Sequence, residues 1–334
     1  MSSSTTLHPP MPGGPESMPP APSSAEQRPS LTEVAHQIER QLGSILMGKP
    51  RQVRVMTAAI LTGSHVLLHD VPGVGKTTLA SAAARVVGGE FRRIQGSPDL
   101  LPTDLTGSVV LDQKTGDWRY RPGPLLGNVI LVDEINRISP RSQSALLQVM
   151  AERQISIEGM VRPLPDPYLV IATMNPTGSS GTFELASGQL DRFEVALSLG
   201  TVDRATERQL LRQESGPEMA SHLTAALPAA AWAQVRKAVA AVHVADAITE
   251  YLLDICDDVR QAGYVSVRAS RALIRMAQGI AVLEGRNFVV PDDIKTLAPA
   301  CLAHRLIEPG VTLESLTNRV IAATERANAP IVNR

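Results

Sequence analysis

Apolar side chains recur at helical spacing from Leu31 onward. In LTEVAHQIERQLGSILMG, Val34, Ile38, Leu42 and Ile45 fall three or four residues apart, and PRQVRVMTAAILTG continues the pattern as a second helix. The period then changes. Short apolar runs, HVLLH, FRRI, NVILVD, YLVIATM and EVALSL, read as five strands, and the helical stretches between them predict a three-layer α/β arrangement around a largely parallel sheet. Two segments interrupt it as hairpins: SVVLDQKTGDWRY, around Lys114, Thr115 and Gly116, and QISIEGMVRPL, turning at Gly159. After about Gly200 the strand signals stop. RATERQLLRQE, AAWAQVRKAVAAVHV, ITEYLLDICDDVRQA and RASRALIRMAQGIAVLEG are helical, which predicts a core at residues 31–200 and a smaller all-helical domain at 201–334.

Residues 1–30 follow neither period. They hold eight of the 25 prolines and almost no large apolar side chains, so a disordered Pro/Ser-rich tail is expected there. The rest has an ordinary composition, and 334 residues are ample for a buried core. A formal net charge of −1, few aromatics and no long Lys/Arg run count against a dedicated DNA or RNA binder. No apolar run reaches the roughly 18 residues of a membrane span, and no basic region followed by a hydrophobic segment opens the chain, so a cytoplasmic location is expected. Cys256 and Cys301 lie far apart in apolar-periodic segments and read as small core residues.

The chemistry concentrates where strands end. HVLLHDVPGVGKTTLA passes from strand through a glycine-rich turn into an alanine-rich helix, the order a phosphate cradle requires. In that arrangement the backbone N–H groups of Gly73 to Lys76 face an anion, Lys76 reaches the β- and γ-phosphates of a nucleotide, and the Thr77 hydroxyl ligates Mg2+. A plain helix-capping turn is the alternative. Asp70 stands where the formula G-x-x-x-x-G-K-[ST] has its first glycine; it reads as a turn former at the loop entrance. His65 and His69 do not form a metal pair, because four residues along a strand separate the rings by roughly 13 Å.

NVILVDEIN ends its apolar run in Asp133 and Glu134. In a parallel sheet the carboxyl ends of strands share one edge, which puts these acids beside the loop. Asp133 is then placed to hold Mg2+ through water and Glu134 to orient or deprotonate a water attacking the γ-phosphate. A helix-capping acidic pair is the other reading. Asn175, after YLVIATM, falls at the same edge, within reach of the γ-phosphate or the water; Asn-Pro is also a turn former. By residue pattern alone Arg192 and Arg268 are isolated cations.

Residues 31 to about 305 resemble the MoxR-type AAA+ ATPases, through ILMGKPRQV, HVLLHDVPGVGKTTLA, FRRIQGSPDLLPTDLTG, RPGPLLGNVILVDEINRISPRSQSALLQVMAERQISIEG, IATMNP and QLDRF. The resemblance implies a P-loop NTPase core followed by an all-α lid. It implies nucleotide contacts from Pro72, Gly73, Val74, Gly75, Lys76, Thr77 and Thr78 in Walker A, and from Met47 and Gly48 beside the adenine. It further implies Walker B at Asp133 and Glu134, sensor 1 at Asn175, an arginine finger at Arg192 and sensor 2 at Arg268. SVVLDQKTGDWRY corresponds to the helix-2 insert and QISIEGMVRPL to the pre-sensor hairpin, both facing the centre of a hexameric ring. Three places depart from the pattern: Gly96 stands where relatives often carry a larger residue, Ala186-Ser187-Gly188 replaces Pro-Glu-Ala, and Val267 replaces a proline.

The implied activity is that of an ATP-hydrolysing chaperone, a homo-hexamer using ATP and Mg2+ to mature a partner protein or to insert a metal cofactor. The implied partner carries a von Willebrand factor A domain. A nucleotide-dependent scaffold with incidental hydrolysis and a nucleic-acid motor are the rival readings.

Overall fold

The central sheet forms from the five apolar runs. In the computed structural model, which describes residues 29–70, 73–175, 181–212, 216–306 and 311–330, they become β1 (Val66–His69), β2 (Phe91–Gln95), β5 (Val129–Asp133), β8 (Leu169–Met174) and β9 (Val195–Leu197). Residues 1–28 of the expected tail at 1–30, and Pro72, lie outside the described residues. All pairings are parallel, in the order β2-β5-β8-β1-β9. The register puts Gln95 opposite Asp133, Val132 opposite Ala172 and His69 opposite Met174, so four strands finish along one edge.

Period-two alternation divides the sheet between two cores. Leu68, Leu131, Ile171 and Val195 pack on the side of the helices Leu31–Ile45, Pro50–Thr62 and Lys76–Val87, whereas Leu67, Ile130, Val132 and Ala172 meet Leu146 and Met150 of the helix Pro140–Glu152. His65 precedes β1 instead of belonging to it. Its Nδ1 accepts from the Val170 N–H at 3.0 Å, and burial with the nearby Arg153 charge pushes its pKa down to about 3.

Past β9 the described chain is helical. The helix Val267–Leu283 lies on Pro50–Thr62, close enough at Gly279 that a Cβ there would stand 3.2 Å from Ala58 and Thr62. Trp232 donates its indole N–H to the Val87 carbonyl at 2.9 Å, tying this half to the end of the helix after the loop. RATERQLLRQE forms a shorter helix than its periodicity predicts, Arg204–Leu210. None of its side chains is buried, so beyond the cap that Asp203 places on the Thr206 N–H, no packing extends it.

The two hairpins stand off the main sheet. β3 (Gly107–Leu111) pairs antiparallel with β4 (Trp118–Pro122), and β6 (Gln154–Ile157) with β7 (Met160–Pro163). Leu111 lies opposite Trp118 at the first ribbon's tip, where the indole is 71% exposed. Nearer its base, the Arg162 guanidinium of β7 stacks over the Tyr120 ring of β4 at 4.6 Å.

Candidate functional site

The loop after β1 is built by backbone conformation. Gly73 and Gly75 have φ of 89° and 92°, and a Cβ at either would meet open space, so glycine is used there for its left-handed freedom and not for lack of room. Lys76 opens the helix Lys76–Val87 directly behind Gly75, which supplies no side-chain cap. The first N–H groups of that helix are therefore the kind of donors an anion takes up. Lys76 Nζ donates to the Asp70 carbonyl at 2.8 Å, Thr77 is exposed at the second helical position, Val74 packs on the core, and Thr78 faces Gly216.

Asp70 does something the sequence does not suggest. Its buried carboxylate accepts from Ser198 Oγ at 2.8 Å, the Leu199 N–H at 2.6 Å and the Gly200 N–H at 3.1 Å, just beyond β9. Met47 is half-buried, and Gly48, in a left-handed conformation with φ 72°, lies against Thr206 of the same downstream segment.

Asp133 ends β5 and Glu134 follows it, next but one to β1 across β8. Asp133 is buried and takes the Arg93 guanidinium on Oδ2, while Thr173 offers its hydroxyl to Oδ1 at 3.5 Å and accepts the Glu134 N–H at 2.9 Å. Glu134 itself has φ 54°, an uncommon conformation for a residue with a side chain, and Arg137 meets its Oε2 at 3.0 Å. Gly96 explains its departure from the pattern. Its N–H donates to the Asp133 carbonyl at 2.7 Å, and a Cβ there would overlap the carbonyl of Glu134. The Arg93 and Thr173 contacts are what sequence reasoning missed.

Asn175 follows β8 between the loop and the acid pair, and the Met174 carbonyl before it accepts the Asp70 N–H at 3.2 Å. A cavity of about 830 Å³ adjoins it, lined also by His69, Asn136 and Ser198. Burial lowers the His69 pKa, and the buried Asn136 Oδ1 has no hydrogen-bond partner among the described residues.

Arg192 and Arg268 come from different halves of the chain but share a support. Asp191 accepts from Ser266 Oγ at 2.8 and 2.9 Å and from Arg305 Nε at 2.9 Å; Arg305 and His304 both also reach the Phe193 carbonyl. Ser266 caps the helix on which Arg268 is the second residue, so this carboxylate holds the segments carrying both cations. Neither Arg192 nor Arg268 makes a side-chain hydrogen bond or ion pair with the described residues. Of the remaining departures, Ala186 precedes a one-turn helix, Ser187–Leu190, and Val267 is 67% exposed.

The donors at the sheet edge, the Thr77 hydroxyl and the Asp133 carboxylate, are hard oxygens of the sort Mg2+ accepts alongside phosphate and water. No group of three or more His, Cys, Asp or Glu able to hold a metal by itself occurs among the described residues. No helix of the described residues is long and apolar enough to cross a membrane.

Residues 65–195 match the ATPase family associated with various cellular activities (AAA), and residues 252–323 match the AAA lid domain. The chain is 38% identical to YeaC of Bacillus subtilis over 89% of its own length and 95% of that protein's. It is 34% identical to Chaperone MoxR1 of Mycobacterium tuberculosis, over 92% and 85% of the two chains. A crystal structure of a Cytophaga hutchinsonii protein superposes with a TM-score of 0.79 at 29% identity, covering 90% of this chain and 96% of that one.

Proposed function

The chain belongs to the MoxR branch of the AAA ATPases, and from that premise we propose that it binds MgATP at the loop after β1 and hydrolyses it to remodel a partner protein. The observation that supports this most is the adjacency of β1, β8 and β5, which sets Lys76, Asn175, Asp133 and Glu134 along one edge of the sheet.

In this reading the N–H groups from Gly73 to Lys76 hold the phosphates, with Pro72, Val74 and Thr78 completing the loop, and Met47 and Gly48 border the adenine. Lys76 leaves the Asp70 carbonyl for the β- and γ-phosphates. Thr77 and, through water, Asp133 would hold Mg2+, which when bound offsets the phosphate charge. Glu134 takes a proton from the water whose oxygen attacks the γ-phosphorus; the bond to the β–γ bridging oxygen breaks, giving ADP and phosphate. Asn175 orients that water. Arg192 supplies positive charge to the transferring phosphoryl group across a subunit boundary, and Arg268 serves as sensor 2.

The boundary between core and lid is placed near residue 200, the assembly is a hexamer, and the work is done in the cytoplasm, where ATP is supplied. A client maturing through a von Willebrand factor A domain partner, or receiving a metal cofactor, is the proposed destination. Titration of ATP onto the wild-type chain and Lys76→Ala tests the foundation: the variant should lose tight binding, and unchanged affinity would remove the nucleotide assignment.

A further inference from the structure

We infer that Asp70 positions the base side of the nucleotide site, fastening the entrance of the phosphate loop to segment 198–206. The inference rests on the reading of that loop as an ATP site.

Glycine earns its place in a phosphate loop where the backbone turns left-handed or something approaches closely. Asp70 is not among the residues with positive φ, so the position does not require glycine and a side chain can be used. That side chain reaches across the sheet edge to Ser198, Leu199 and Gly200, two backbone donors and a hydroxyl gathered by one buried carboxylate. Hydrogen bonds to an ionised acceptor are the stronger kind, and removing the acceptor would strand two N–H groups.

Segment 198–206 is met from its other side by the turn carrying Met47 and Gly48. Gln52 Nε2 donates to the Ser198 carbonyl at 3.1 Å, Lys49 Nζ donates to the Thr201 carbonyl, and Gly48 has so little clearance that a Cβ would stand 3.0 Å from Thr206 Oγ1. The main chain of Asp70 faces the other way. Its carbonyl accepts from Lys76 Nζ, and its N–H donates to Met174, one residue before Asn175. One residue therefore joins the phosphate side, through its backbone, to the base side, through its carboxylate. Phosphate binding needs the loop alone; holding the base also needs the segment that Asp70 anchors.

The experiment compares MgATP, MgADP and inorganic tripolyphosphate with Mg2+, titrated against wild type, Asp70→Ala, Asp70→Gly, Asp70→Asn and Ser198→Ala, with thermal melts alongside. Asp70→Gly restores the loop formula, yet it and Asp70→Ala should weaken ATP and ADP about tenfold while tripolyphosphate stays within about twofold. Asp70→Asn keeps one carbonyl acceptor and should fall between them and wild type. Ser198→Ala removes a single donor outside the loop, should weaken ATP about threefold and leave tripolyphosphate unchanged, and gives an answer even if the Asp70 variants do not fold. Equal losses for all three ligands would overturn the inference by making Asp70 part of the cradle, and unchanged ATP affinity in Asp70→Ala and Ser198→Ala would overturn it outright. In both cases ATP binding by wild type, lost in Lys76→Ala, leaves the nucleotide reading standing. A wild-type chain that binds none of the ligands overturns both.

Discussion

Arg93 Nε and Nη2 both lie 2.7 Å from the same oxygen, Oδ2 of Asp133. β2 and β5 pair so that Gln95 is opposite Asp133, which places Arg93 diagonally across on the same face. Arg93 is half-exposed, so the pair contributes no more than about 1 kcal/mol, an amount a divalent cation readily overcomes. In the proposed site the guanidinium would therefore compete with Mg2+ for this carboxylate. Arg93→Ala should lower the Mg2+ concentration needed for half-maximal ATP binding by about three- to fivefold. A raised requirement would mean that Arg93 helps to assemble the metal site.

Glu134→Gln preserves shape and removes the proposed base. ATP affinity should be unchanged and turnover should fall by roughly 10² to 10⁴. Direct binding measurements beside phosphate release separate the two quantities. Near-normal release would move the proton acceptor to another residue.

In the proposed site, Arg192 acts together with the carboxylate before it. Arg192→Ala should bind ATP normally and lose roughly 10³ in turnover, with part of the activity returning when it is co-assembled with Lys76→Ala subunits. Ser266→Ala withdraws one donor from Asp191 and should cost about threefold in turnover at unchanged ATP affinity. It also removes the cap on the Ala269 N–H, worth about 1 kcal/mol, so its melting point should be measured in parallel. Full activity in Ser266→Ala, or inactivity of verified mixed rings, would count against this arrangement.

Two buried histidines set an acid limit on stability. Burial, followed by the charge of Arg153 for His65 and of Arg305 for His304, pushes both pKa values down to about 3 from 6.5. Between those values the unfolded chain binds more protons than the folded one, so stability should decline as pH falls from about 6.5 towards 3. Glu194 opposes this: burial pushes its carboxyl up, so the folded state holds that proton more tightly and gains on acidification. His304→Gln keeps an N–H for the Phe193 carbonyl and isolates one histidine. Denaturant unfolding from pH 4 to 6 should show a slope reduced by up to one proton, and an unaltered slope would mean that His304 titrates as it does when unfolded.

What could be read along the chain was whatever stays local. β1, β5 and β8 announce themselves as apolar runs, the hairpins by Gly116 and Gly159, and the loop by Gly75-Lys76-Thr77 following a strand. Asp70 was visible only as an exception to a formula, because the atoms that give it a role lie 128 to 130 residues away. The Arg93–Asp133 and Thr173–Glu134 contacts depend on which strands are neighbours and in what register, which apolar periodicity does not encode. Asp191 was hidden for the same reason: Ser266 and Arg305 belong to helical segments whose docking against the segment carrying Arg192 has no local signature.

A two-stranded ribbon standing by itself in water is a soft object. The stack of Arg162 on Tyr120 braces one ribbon with the other below the Leu111–Trp118 tip. The second ribbon begins at Gln154, two residues after the helix Pro140–Glu152 ends, and that helix starts six residues after Glu134. Bracing turns two pliant arms into a truss seated on the far end of the helix that starts after Glu134, so a sideways load on the exposed indole is carried into that helix instead of being spent in bending the tip.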